Sequence, residues 1–184
     1  MQLEGGLLFQ GTFRLVIPRH AMTRIAAEAG ELVIGFDGAD ARFDLGAAAD
    51  KWADRLLNPP SLLDKLGVKA GMRVSLIGGF PEEFVAELRS RAEVQERGKK
   101  ESGAVLLLAS TPADLHKVPA AIDLLKPDGG LWIVYPKGQR VISESQVMSA
   151  GRGAGLTDNK VAAFSATHTA LRFVVPMKLR GKRT

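Results

Sequence analysis

Apolar and polar positions change period several times along the chain, and each change marks an element. Residues 7–17 alternate loosely around Gly11, with Leu7, Phe9, Phe13, Leu15 and Ile17 apolar. That pattern predicts one bent strand or two short ones, closed by Pro18. In 20–29, Met22, Ile25, Ala26 and Ala29 recur at helical spacing before Gly30, which predicts a short amphipathic helix. Two strand-like runs follow at 31–36 and 41–45, and Asp37-Gly38 between them is a hairpin signal. A helix over 46–58 carries Ala49, Trp52, Ala53, Leu56 and Leu57 on one face and is broken by Pro59-Pro60.

From Ser61 onward the pattern switches to strands alternating with helices. Ser61 and Asp64 form a capping-box-like start for a short helix ending at Gly67, and 73–77 is a buried strand. Gly78-Gly79 turns the chain into a helix over 81–91. A short strand is expected at 92–96, a charged loop at 97–103, and a wholly apolar central strand at 104–109. Thr111-Pro112-Ala113-Asp114 opens a helix running to about 125, with an N-cap, a proline at the first position and an acid in the first turn. The stretch 126–130 reads as a turn, 131–135 as a strand and 143–154 as a helix. Strands at 160–165 and 170–176 then flank a polar turn. The expected architecture is a small β-rich cap with a linking helix over 1–60, an open, mainly parallel Rossmann-like α/β domain with a terminal antiparallel hairpin over 61–176, and a basic flexible tail over 177–184.

Composition narrows the function classes. The 184 residues carry a formal charge of +5, but Arg172, Lys178, Arg180, Lys182 and Arg183 supply that whole excess at the C-terminal end. The remainder is close to neutral, so nucleic acid is disfavoured as a partner. The absence of cysteine excludes disulfides, thiolate metal sites and cysteine nucleophiles. No signal-peptide pattern or membrane-length apolar run is read, and the expectation is a cytoplasmic protein without a membrane partner.

The motifs LLDKLGVKAGMRVSLIGG, AVLLLASTPADL and LLKPDGGLWIVYPKG, followed by a terminal hairpin, resemble the core of class I methyltransferases. More narrowly, the LLDKLGVKxGMRV opening, the LKPDGGLWIVYPKG strand and the FSATHTALRFV hairpin resemble the bacterial domain of unknown function 3052 family. The resemblance spans about 61–176. It implies a truncated Rossmann-like fold with S-adenosylmethionine (SAM) as the cofactor to consider, and no established activity. In methyltransferases the first strand ends in an acid followed by a Gly-x-Gly-x-Gly-like turn. Here Leu76 stands at the acid, and Phe80 and Glu82 stand at the second and third glycines. Glu82 and Glu83 would also repel an anionic group approaching that helix start.

The cofactor-binding candidates are Gly78, Gly79, Glu96, Ser110 and Lys137. Glu96 falls at roughly the ~20-residue spacing expected of a ribose-binding acid, although it lies in a charged run. Ser110 and Lys137 stand just beyond central strands, where open sheets place their ligand crevice. His168, with Thr167 and Thr169, is a further candidate in a polar turn whose hydroxyls can also satisfy local backbone groups. No catalytic set or metal-ligand spacing is visible. The favoured reading is a methyltransferase-like scaffold that binds a small ligand, a protein partner or a second copy of itself. The alternatives are a SAM-dependent methyltransferase with an atypical turn and weak nucleic-acid binding through the basic tail.

Overall fold

The computed structural model describes residues 6–95, 101–138 and 141–180. The chain divides into two compact units, Met1–Pro60 and Ser61–Thr184.

In the first unit, β1 (Gly6–Gln10) and β2 (Arg14–Pro18) form an antiparallel hairpin. A second antiparallel sheet contains β3 (Arg24–Glu28), β4 (Glu31–Phe36) and β5 (Ala39–Asp44) in that order. Helix α1 (Ala49–Leu57) contributes Ala53 and Leu56 to a core with Leu7, Ile17, Leu32, Ile34 and Phe43. The helix expected over 20–29 is instead a short 3-10 turn, Arg19–Ala21, followed by β3. Ile25 and Ala27 satisfy a period of two as well as of 3.6, and they pair with Ile34 and Leu32. Ala29 and Gly30, both at positive φ, close the β3–β4 turn.

The second unit is a six-stranded sheet in the order β10-β11-β9-β8-β6-β7. Its strands are β6 (Arg73–Ile77), β7 (Glu93–Gln95), β8 (Ser102–Leu108), β9 (Leu125–Pro136), β10 (Thr157–Ala163) and β11 (His168–Val174). Strands β7, β6, β8 and β9 are parallel, and β11 runs against both its neighbours. Alternating residues serve opposite faces. Val105, Leu107, Leu131, Ile133 and Phe173 pack under α4 (Val118–Asp123) and α5 (Glu144–Gly153), whereas Leu106, Trp132 and Val134 pack under α2 (Leu62–Leu66) and α3 (Glu82–Arg91). Covering both faces explains the uninterrupted apolar run in β8.

Helix α2 begins in the expected capping box, with Asp64 N donating to Ser61 Oγ at 3.1 Å and Ser61 N to Asp64 Oδ2 at 3.0 Å. Three expectations change. Strand β8 begins at Ser102, inside the stretch expected as a loop. The turn expected at 126–130 is absorbed into β9 as an irregularity, since Ser102 pairs with Leu125 and Ala104 with Gly130. The helix expected over 111–125 is a 3-10 segment, Pro112–Lys117, before α4. Pro119 lacks the N–H that would continue one α-helix through this region. Met177–Arg180 forms a helical turn, α6, and the rest of the basic end, 181–184, lies outside the described residues. Among the described residues no helix is long and apolar enough to cross a membrane.

Candidate functional site at the carboxyl edge of the sheet

The parallel strands β6, β8 and β9 deliver their carboxyl ends to one edge of the sheet. The β10–β11 turn reaches the same edge, because Ala163 pairs with Thr169 and Thr169 with Tyr135. Gly78, Gly79, Ser110, Lys137, Thr167, His168 and Thr169 are all brought there. Glu96 lies outside the described residues.

At the end of β6, Gly78 has φ +106, and a Cβ there would stand 3.0 Å from Leu108 Cβ and 3.1 Å from Leu108 O. Glycine is therefore demanded by backbone conformation and by the approach of β8. A Cβ on Gly79 would meet nothing within 4 Å. Beside this turn is a cavity of about 380 Å³, lined by Leu76, Gly78, Gly79, Phe80, Glu82 and Val85. Phe80 packs against Phe84 and Phe164, with ring centroids 5.6 and 6.0 Å away, and Phe84 meets Phe164 edge-on at 4.8 Å. The three rings join α3 to the β10–β11 turn. Glu82, exposed at the start of α3, pairs with Arg89 at 3.3 Å.

Ser110 serves a cap. Asp114 Oδ2 accepts from Ser110 N at 3.1 Å, Thr111 N at 3.0 Å and Thr111 Oγ1 at 3.1 Å, while Lys117 Nζ donates to Oδ1 at 2.9 Å. The Lys117 bond, helped by the Thr111 and Ser110 bonds, holds the Asp114 carboxyl down at about 2.

Lys137 is also engaged. Its Nζ donates to Ser165 O and its backbone N–H to Thr167 O, each at 2.8 Å. Within the turn, Ser165 Oγ accepts from Thr167 N at 3.2 Å and His168 N at 3.0 Å, and His168 Nδ1 lies 2.9 Å from Thr167 Oγ1. The local backbone accounts for the polar cluster that surrounds His168. Among the described residues no group of three His, Asp or Glu side chains is placed to hold a metal ion.

A second cavity, of about 360 Å³, lies at the end of β9 against the start of α5, with Tyr135, Pro136, Lys137, Ile142, Glu144 and Thr169 in its lining. Tyr135 is buried, and the Glu144 carboxylate lies near enough to act on its hydroxyl. Burial first, then the charge and hydrogen bond of Glu144, push the phenol up to about 12. The hydrophobic pattern does not single out this pair. Tyr135 reads as a strand terminus and Glu144 as an ordinary first-turn acid, and only the fold joins them.

No family model matches the chain, and no curated protein matches it. Solved structures do resemble it. A SAM-dependent methyltransferase from Aquifex aeolicus aligns with a TM-score of 0.52 at 16% identity, covering 67% of this chain and 93% of that one. The magnesium protoporphyrin IX methyltransferase from Synechocystis PCC 6803 with bound SAM aligns at 0.43 and 11% identity, over 62% and 74% of the two chains. The α/β unit has a methyltransferase-like fold. At such identities the likeness speaks to fold alone.

Proposed function

We propose that the chain is a methyltransferase-fold protein that acts by binding rather than by methyl transfer. The observation that carries this reading is the lining of the cavity at the end of β6. Leu76 is buried apolar surface where the fold's acid is expected. Phe80 is drawn into an aromatic cluster. Glu82 adds a carboxylate at the cavity, which opposes the carboxylate of SAM. These residues do not fit that cofactor, and no methyl-transfer step is derived from them.

The test is calorimetric titration of the full chain with SAM and with S-adenosylhomocysteine, alongside thermal shift. The expected result is no heat and no shift at millimolar ligand. Binding tighter than about 1 mM, roughly −4 kcal/mol, would overturn the reading. It would bring forward instead the alternative of a methyltransferase using an atypical turn, which the left-handed Gly78 and the open space at Gly79 favour. The partner of a binding module is a small ligand, another protein or a second copy of the chain. Light scattering over a concentration series separates the last of these from the others.

A further inference from the structure

Strand β10 closes one side of the six-stranded sheet, with β11 on its inner side. Two hydrogen bonds at the β10–β11 turn decide which of its backbone groups face outward. Phe164 N donates to His168 O, so the backbone of Phe164, and with it that of Ala162 and Lys160, is turned toward β11. Lys137 N donates to Thr167 O, which turns Thr167, Thr169 and Leu171 toward β9 and leaves the alternate residues of β11 to serve β10. The two observations agree. The N–H and C=O groups of Val161 and Ala163 therefore point away from the sheet, and among the described residues no hydrogen bond outside the strands engages them.

The same two residues are exposed, Val161 at 59%. Free edge strands are ordinarily blunted by charge, proline or a bulge. In β10 that protection is confined to the start, where the register slips between Asp158 and Lys160. Both charges there are folded back onto their own chain, Asp158 against Arg152 at 2.8 Å and Lys160 Nζ on Lys65 O at 2.7 Å. From Val161 to Ala163 the edge is apolar and unguarded.

We propose that this edge is a self-association surface, on which β10 pairs antiparallel with β10 of a second copy about a two-fold axis at Ala162. A two-fold contact sets residue i against j and j against i. With the axis at Ala162, both outward residues of each strand are used. Val161 lies opposite Ala163 of the second copy and Ala163 opposite its Val161, each pair exchanging two N–H···O bonds. An axis at Val161 or at Ala163 would instead set one outward residue against the bulge at Asn159 or the turn at Ser165. The side chains fit the same axis. Val161, on the face of Leu171 and α5, meets a small alanine, Ala162 meets its own counterpart, and Lys160 comes opposite Phe164 rather than another cation. No like charges face each other. The bulge and the turn confine the pairing to this stretch, so the dimer is weak and concentration-dependent rather than obligate. The proposal names one of the partners left open by the binding reading without resting on it, since a methyltransferase could pair in the same way.

The chain has no cysteine, so single introduced cysteines report the register. In the proposed pairing Ala162 and its counterpart form a non-hydrogen-bonded pair with Cα atoms about 4.5 Å apart, within disulfide reach. Ala163 and its counterpart stand on a diagonal, roughly 7 Å or more apart and outside that reach. Full-length Ala162→Cys and Ala163→Cys would be oxidised mildly at matched concentration, without ligand, and covalent dimer followed by non-reducing electrophoresis. Ala162→Cys should crosslink at least ~tenfold faster, although Ala162 is 6% exposed in a single copy and Ala163 is open to solvent. Random collision would give the reverse order. Light scattering of the parent chain up to about 1 mM should show the mass rising toward that of a dimer. Val161→Lys, at an exposed position, should weaken this association at least ~tenfold, because a lysine on an edge strand blocks pairing. A parent chain that stays monomeric throughout, crosslinking of Ala163→Cys as fast as that of Ala162→Cys, or association unchanged in Val161→Lys would each overturn the proposal. None of these outcomes depends on whether SAM binds.

Discussion

Lys137 Nζ reaches across the carboxyl edge of the sheet to the carbonyl oxygen of Ser165, 2.8 Å away. The backbone N–H of the same lysine bonds Thr167 O at the same distance. Lys137, a cofactor-binding candidate in the sequence, is thus a strut between the β10–β11 turn and the end of β9. Lys137→Met should leave the melting temperature nearly unchanged, because an exposed charged contact contributes little to global stability. Amide exchange within 164–168 should nevertheless accelerate, since that turn would lose its side-chain tie to the end of β9. Exchange measured by NMR at individual amides checks both expectations.

Gly151 in α5 lies against the buried ring of Phe173. An added Cβ would come within 2.5 Å of Cδ1 and 2.6 Å of Cζ. Helix propensity alone predicts that Gly151→Ala stabilises by about 1 kcal/mol. The contact reverses the sign, because Phe173 is fully buried and has no room to retreat. A net loss of about 1–3 kcal/mol is expected, read as a lowered denaturant midpoint with an unchanged slope.

Trp132 Nε1 donates to Leu66 O at 2.9 Å inside the core, tying the end of α2 to β9. Trp132→Phe would leave that carbonyl unpaired and a void beside it. Together these should cost about 2–4 kcal/mol by chemical denaturation. Trp132→Phe should lose more than Lys137→Met, although both remove one hydrogen bond, because Trp132 is buried and Lys137 is exposed.

Sequence patterning predicts the α/β unit best where a signal has one reading. The Ser61–Asp64 box, the apolar run of β8 and the glycine turn after β6 admit no competing element. The N-terminal unit is less legible, and 20–29 shows why. Ile25, Ala26 and Ala29 fit a helix, while Ile25 and Ala27 fit a strand, and pairing with β4 decides between them. The turn signal is hidden too, since alanine seldom occupies a left-handed position. At the candidate site, the glycines and edge loops are visible in sequence. The engagement of Ser110 and Lys137 and the meeting of Tyr135 with Glu144 depend on partners that only the fold supplies.

Ala29 itself yields a prediction. With φ +50 beside Gly30 at φ +84, it occupies a turn in which both central residues need positive φ. Ala29→Asn should stabilise the chain by about 1 kcal/mol, since asparagine tolerates the left-handed region and alanine is strained there. If 24–28 were a helix instead, the same substitution would be neutral or mildly destabilising by propensity. Thermal unfolding of the variant therefore tests the strand assignment as well as the strain.

Asp114 sets an acid limit on stability. Its carboxyl is depressed from an ordinary 3.8 to about 2, first by the Lys117 bond and then by the backbone and hydroxyl donors of Thr111 and Ser110. A group whose folded pKa is lowered contributes stability that is fully present above its unfolded pKa and is lost as pH falls through the folded one. The contribution is therefore complete above about pH 4 and gone below about pH 2. Asp114 is partly exposed, and solvent screening reduces the linkage to about 1 kcal/mol. Loss of the cap adds to it in Asp114→Ala, which should be destabilised by about 1–2 kcal/mol at neutral pH. The gap to the parent chain should narrow steadily between pH 4 and pH 2. Parallel unfolding curves across that interval, with a constant gap, would show that the carboxylate's charge contributes nothing and that the cap acts through shape alone.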